Sequence, residues 1–345
     1  MVISPAILKR LLSAAFATAT LTACSSGFEV YPSLSVLEQG ITKAPGEPSF
    51  NPDLKFCSAL AFTGIQWSSS LNLTERRSLA LALSISGSFE GSSGWTNITN
   101  DFDHMGLSAG LLNQTLGTGS LQPLLAAMSV TNPLLFRAAF SPEHFQSINQ
   151  MLEQWKAATH WNPQSLSLMS EESDADRVSA NDLSGNDSLS LLAMTPEAQS
   201  AAWARSTLYQ SNGSFIPSWK QELQTLLMMP QYISLQVEKA RKYHLKAMDY
   251  VARTGINELR TYLLMFDFVT QNGSISESHF RQWEQEVSQR HLTNVTTKLK
   301  VLADIRINSS IPERQADVRS RKYAIIDGTG TVHGRNLNLP LSHCY

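Results

Sequence analysis

A chain of 345 residues, 42% hydrophobic and 16% charged, carries enough apolar side chain to bury a substantial core, which excludes a disordered tail, a collagen-like chain and a disulfide-dense mini-protein. Basic residues number 27 and acidic residues 29, a formal charge of -2 with no long Lys/Arg run, so the footprint of a duplex-binding protein is missing and no nucleic-acid partner is expected. Beyond the N-terminus no uninterrupted apolar stretch reaches about 18 residues, so no membrane span is expected in the mature chain.

The N-terminus has the pattern of an export signal. Lys9 and Arg10 precede an apolar or small stretch over 11–21, and Leu21-Thr22-Ala23-Cys24 closes it. Small residues before a Cys resemble the lipobox of bacterial lipoproteins. That resemblance implies removal of residues 1–23 and lipid attachment at Cys24, and Ser25 in place of Asp implies outer-membrane sorting. The mature chain would keep 25 basic against 29 acidic residues, a charge of -4. Cys57 and Cys344 then remain in an oxidising compartment, either as a disulfide closing most of the domain into one loop or as two separate buried thiols. The 8 His are scattered and no Cys-x-x-Cys or His-x-x-x-His spacing occurs, so neither a metal nor another cofactor is expected.

Residues 24–55 are rich in Ser, Pro and Gly and read as a flexible tether, with the domain over 56–345. Apolar residues at three- and four-residue steps predict a helix over about 75–89 with Thr74 as N-cap. Residues 91–119 are dense in Gly, Ser, Thr and Asn, and the run over 95–99 leading to Asp101-Phe102-Asp103 predicts a small hairpin region. Ser120 is placed as the cap of a helical segment over 121–130, and another helix is expected over 142–158. Acids including Glu171, Glu172, Asp174, Asp176, Asp182 and Asp187, among many Ser over 163–198, predict an inserted disordered loop. Helical periodicity resumes over 203–209, 217–229, 230–254, 257–271 and 277–305, and Asp327-Gly328-Thr329-Gly330 predicts a turn in a short tail.

The junction of the first helix and the hairpin is the place most able to carry chemistry. Glu90 falls at the helix end, where the last carbonyls disfavour a negative charge, and Phe89 and Trp95 promise apolar surroundings; both favour a protonated carboxyl. Such a group donates a proton to a glycosidic oxygen while a second carboxylate, Asp103 or its rival Asp101, activates water. A separation of about 6.5–9.5 Å between the two would imply inversion. Trp95, Trp203 and Trp219 have faces suited to a pyranose, although core packing is the ordinary use of any one of them. Arg205, Arg319 and Arg321 are expected on a solvated surface, and His104 and His333 read as polar surface residues. No Gly-x-Ser-x-Gly elbow or phosphate-cradling Gly-x-x-x-x-Gly-Lys loop occurs.

The run Phe89-Glu90-Gly91, then 103–112 (Asp-His-Met-Gly-Leu-Ser-Ala-Gly-Leu-Leu), then 116–121 resembles the active-site segment of the lysozyme-like chitosanases. A second stretch over 231–273, with Gln236, Gly255 and Phe266-Asp267-Phe268-Val269-Thr270-Gln271-Asn272-Gly273, is similar to that family's later helices and lies in the right order. The Glu90 to Asp103 interval is shorter than in typical chitosanases, and Asn113 stands where many lysozyme-like relatives carry Gln. The resemblance implies a mainly α, lysozyme-like fold, two helical lobes with a small β-hairpin region lining a cleft. It places Glu90 on the general acid, Asp103 on the base and Ser108 on the hydroxyl that positions the attacking water. It makes Trp95 and Asn113 candidate substrate-binding residues and Asp267 a structural support holding the helices against the hairpin. The expected activity is hydrolysis of β-1,4 linkages in an amino-sugar polymer, with location putting peptidoglycan ahead of chitosan. The expected setting is the bacterial cell envelope, on the outer membrane facing the periplasm, with a lipid anchor as the membrane contact. The competing expectation is a non-catalytic envelope lipoprotein that binds peptidoglycan or other glycan strands.

Overall fold

In a computed structural model, residues 60–62, 64–162 and 195–343 are described. The lipobox and Cys24, the tether, Cys57, Cys344 and most of the 163–198 segment lie outside the described residues. The described chain is mainly helical, with twelve α-helices, a three-stranded antiparallel sheet and a two-stranded hairpin.

Helix α1 (Leu73–Glu90) begins two residues earlier than the periodicity predicts. Its N-cap is Asn72, not Thr74: the Asn72 side chain accepts from Glu75 N–H while the Glu75 carboxylate accepts from Asn72 N–H, a reciprocal pair that satisfies two orphan donors. A short 3₁₀ turn (Gly94–Thr96) leads to β1 (Ile98–Thr99), which pairs with β2 (Ser108–Ala109), and β2 pairs with β3 (Gln114–Thr115). The expected hairpin region is therefore a three-stranded ribbon. Ser120 is not a helix cap; its hydroxyl accepts from Thr115 N–H and donates to Thr115 O, closing the loop after β3.

Then come α2 (Gln122–Thr131), α3 (Pro133–Ala138), α4 (Pro142–Thr159), α5 (Pro196–Thr207), α6 (Pro217–Leu227) and α7 (Pro230–Thr254). Helix α5 takes in the end of the segment expected to be a loop, because Thr195 caps it by accepting from Ala198 N–H and Pro196 occupies its first turn. Beyond α8 (Leu259–Asn272), the expected single helix over 277–305 is two, α9 (Glu277–Gln289) and α10 (Val295–Asn308). The break is physical: His291 adopts φ +47° and Asn294 starts a new helix by accepting from Thr297 N–H. The expected short tail holds a further helix, α11 (Pro312–Asp327), closed by Gly328 at φ +73° and followed by β4 (Thr329–Val332), β5 (Arg335–Asn338) and α12 (Leu339–His343).

Two apolar clusters organise these elements. One gathers side chains of α1, α7, α8, α9, α10 and α11, and the other those of the three-stranded ribbon, α2 to α6 and the start of α7. Helix α7, about 37 Å long at 1.5 Å per residue, contributes Tyr232 to the second and Ile233, Val237 and Ala240 to the first. The ribbon is fastened to this shared helix by a buried amide, since Gln236 Oε1 accepts from Leu111 N–H at 2.9 Å. Gly110 permits the approach: its φ is +85°, and a Cβ there would lie 2.4 Å from Gln236 Oε1. Helix α8 is buried along its length from Arg260 to Val269, so Asp267, the one acid in that run, must find its partners inside the protein.

Candidate functional site

Glu90 is the last residue of α1, and the extended backbone of Gly91 turns the chain away toward the ribbon. Asn97 fixes this exit, its Nδ2 donating to Glu90 O at 3.2 Å and its own carbonyl accepting from Gly110 N–H at 2.9 Å. The apolar setting expected for the Glu90 side chain is not what surrounds it. Arg321 of α11 donates to Glu90 Oε1 at 2.6 Å, and its guanidinium lies 4.9 Å from the centre of the Phe89 ring. The aromatic surface that was to desolvate a neutral carboxyl thus carries a cation instead.

Arg321 is not on a solvated surface, as a lone Arg in a polar run suggests; its side chain is 3% exposed. Its second nitrogen donates to Asp267 Oδ1 at 2.7 Å, and the fully buried Lys322 donates to Asp267 Oδ2 at 2.5 Å and to Gln271 Oε1 at 2.9 Å. Two cations and two carboxylates balance, which is the condition for keeping them all out of water. Burial alone would raise the Asp267 carboxyl, but the charges and hydrogen bonds of Arg321 and Lys322 hold it far below the usual carboxylate range. The Lys322 ammonium is pushed down to about 8, burial outweighing the attraction of Asp267. Arg321 is raised despite its own desolvation, by Asp267 and Glu90 together, and stays charged. The support expected of Asp267 is therefore real but directed elsewhere: it ties α8 to α11, not the helices to the hairpin.

From Gln271 the hydrogen bonds continue outward. Gln271 Nε2 donates to Asp317 Oδ2 at 2.9 Å, and Asp317 Oδ1 meets His333 Nε2 at 2.6 Å in the exposed β4–β5 hairpin. From the same hairpin Arg335 donates to Ser88 O at 2.6 Å, in the last turn of α1. Glu90 Oε2 has no partner among the described residues and its side chain is 19% exposed, so one carboxylate oxygen is held and the other is open.

The second acidic place is the turn between β1 and β2. Asp101 Oδ1 accepts from Gly106 N–H at 2.5 Å and Asp103 Oδ1 accepts from Met105 N–H at 3.2 Å. From outside the turn, Arg205 of α5 donates to His104 O at 3.0 Å and Tyr209 donates to Gly106 O at 2.7 Å. Burial, with Asp101 and Asp103 adding, pushes the Tyr209 hydroxyl well above the usual phenol range, so it remains a donor. Gly106 has φ +78°, and a Cβ on it would lie 2.6 Å from the Ala201 backbone. No hydrogen bond or ion pair joins Glu90 directly to Asp101 or Asp103 among the described residues. The chain from Asn97, bound to Glu90, to Asp101 spans at most about 14 Å of extended backbone.

The remaining expected residues fall as follows. Ser108 is 1% exposed in the middle strand, its hydroxyl without a protein partner. Asn113 is half-buried at φ +50°, and its Oδ1 accepts from Thr99 Oγ1 at 2.7 Å, which gives it a turn-closing part. Trp95 does not offer a face to substrate: it is 7% exposed, edge-on to Phe62, with Nε1 donating to Ala61 O at 3.1 Å. Trp219 is stacked under His144 at 3.9 Å, and Trp203 meets it edge-on, so both serve the second apolar cluster. Arg319 pairs with Asp304 beside Tyr323 on the surface, and His104 is exposed. Lys322 and Tyr209 are residues the sequence reading missed, and Gln271 was named there only as part of a motif, with no role. The signal for Lys322 was a lone acid in a largely apolar helix, which demands a buried cation but does not name it.

Among the described residues no group of His, Cys, Asp and Glu could hold a metal ion, and no helix is long and apolar enough to cross a membrane. No protein-family model, curated protein or solved structure matches this chain.

Proposed function

We propose that this protein is a lysozyme-like glycoside hydrolase that cleaves β-1,4 linkages in an amino-sugar polymer at the cell envelope, held there by a lipid on Cys24. The observation that carries the reading is the attachment of Glu90: Arg321, itself locked on Asp267, grips Oε1 and leaves Oε2 open. A general acid must meet a leaving oxygen within hydrogen-bond reach and in one orientation, and a carboxyl fixed through one oxygen satisfies that requirement. In this reading Glu90 takes up a proton on its open Oε2 and passes it to the glycosidic oxygen, while Arg321 stays on Oε1. Asp103 then draws a proton from the attacking water, with Asp101 as the other possible base on the same turn. A water between the two acids attacks from the face opposite the leaving group and inverts the anomeric centre. Peptidoglycan stands ahead of chitosan because it is the polymer within reach of a periplasmic lipoprotein.

The test is to incubate the full chain in detergent with purified peptidoglycan and with chitosan, beside Glu90→Gln, and to analyse released fragments by mass spectrometry. Fragments from one polymer that fall about 10²–10⁴-fold in the variant establish the hydrolase and name its substrate. Glycan retained with no fragments from either polymer replaces this reading with that of a glycan-binding lipoprotein.

A further inference from the structure

We infer that Gln114 and Gln236 form a binding site for one resident water molecule, which joins β3 to α7. The inference goes beyond the hydrolase reading and does not depend on it.

Both amides are buried, each 6% exposed, and both line one cavity of about 10 Å³ whose apolar wall includes Leu83 of α1, Trp95, Leu111 and Ala240. Their orientations are fixed by backbone partners, whose donor and acceptor roles cannot be exchanged. Gln236 Oε1 accepts from Leu111 N–H at 2.9 Å, so Nε2 is the atom of that amide left over. Gln114 Nε2 donates to Leu112 O at 3.3 Å, so Oε1 is left over there. Each of these two remaining atoms is buried without a protein partner. One is a donor and the other an acceptor.

A buried amide atom among apolar side chains is costly to leave unbonded, and two of opposite kind at one cavity call for a ligand that accepts from the first and donates to the second. Size and chemistry then select it. A cavity of about 10 Å³ is at the limit for a single water and excludes any organic group. Ammonium is as small but cannot accept from Gln236, and chloride cannot donate to Gln114. Water does both, accepting from Gln236 Nε2 and donating to Gln114 Oε1. The bridge completes a joint that α7 has begun with two direct bonds to the ribbon and the loop after it, Gln236 to Leu111 N–H and Lys239 Nζ to Ser120 O at 2.8 Å. Strand β3 is thereby held to the same turn of α7 that holds Leu111.

The experiment is a crystal structure of the detergent-solubilised full chain at a resolution that shows ordered water, together with thermal unfolding of Gln114→Leu, Gln236→Leu and the double variant. A density peak about 2.7–3.2 Å from both Gln236 Nε2 and Gln114 Oε1 is expected. Either single variant removes one end of the bridge and strands the other, so the double variant should lose less melting temperature than the sum of the singles, by about 2–4 °C. The bond from Gln236 to Leu111 is lost in both the single and the double variant and cancels from this comparison. No peak at the cavity, a direct bond between the two amides, or additive falls in melting temperature each overturns the inference. Should a variant fail to fold, the structure of the wild-type chain decides alone.

Discussion

Glu90 ends a helix and reaches into a buried lattice of four charges and an amide contributed by α1, α8 and α11, whereas Asp101 and Asp103 ride a surface turn held by backbone N–H groups and two side chains from elsewhere. The first support is expensive to disturb at its centre, because removing Asp267 strands two cations in low dielectric. The second is a set of individually modest, mostly part-buried hydrogen bonds. Under the proposed hydrolase reading, a site built on two such supports would have one arm of fixed position and one arm that can adjust.

The contrast is most severely tested at Asp267. Asp267→Asn leaves Arg321 and Lys322 buried without their shared anion, and a loss of about 3–5 kcal/mol is expected in urea unfolding, along with loss of hydrolysis. A loss under 1 kcal/mol would mean that water reaches the lattice and that the Glu90 arm is no more rigid than the turn. The same residue sets a pH signature. Its folded carboxyl is depressed, so the unfolded chain takes up a proton below about pH 4 while the folded one does not; stability is present above that pH and falls as acid is added. Asp267→Asn should flatten this acid limb, which unfolding followed between pH 2 and pH 5 will read.

On the turn the effects should be smaller. Tyr209→Phe deletes the donor to Gly106 O and is expected to cost about 1 kcal/mol in stability, while slowing hydrolysis roughly three- to tenfold through a looser base. A rate loss as large as that of Glu90→Gln would place the turn on the rigid side of the comparison. The smallest effect on hydrolysis is expected at Asn113, whose left-handed backbone and bond to Thr99 close the loop between β2 and β3. Asn113→Ala should cost roughly 1–2 kcal/mol and Asn113→Gly less, since glycine accepts positive φ and loses only the hydrogen bond; thermal unfolding of the pair separates the two contributions.

Much of this arrangement is legible in the sequence, unevenly and for physical reasons. The helices whose buried face is apolar are found from their period, and the ribbon from its Gly, Ser and Asn. Helix α11 escapes because its buried face includes Arg321 and Lys322, so the apolar stripe that marks a helix is interrupted by the very residues that matter. Pro312 at its first turn was the signal left unused. Glu90 stands out as a helix-end acid before Gly91, yet its ion pair is invisible because its partner lies 231 residues on. Trp95 misleads in the opposite way: a tryptophan near a turn reads as a platform, and its ring belongs to the core.

That separation of 231 residues also orders events in time. At about 5–20 residues per second, the ribosome finishes α1 and the Asp101 to Asp103 turn on the order of 10–50 s before Arg321 exists to receive Glu90. Arg335, which meets the last turn of α1, follows later still. The acid arm is therefore completed only as the C-terminal segment docks, and a chain interrupted anywhere before α11 carries Glu90 without its anchor. In this protein the anchor of Glu90 waits on a residue made 231 positions later.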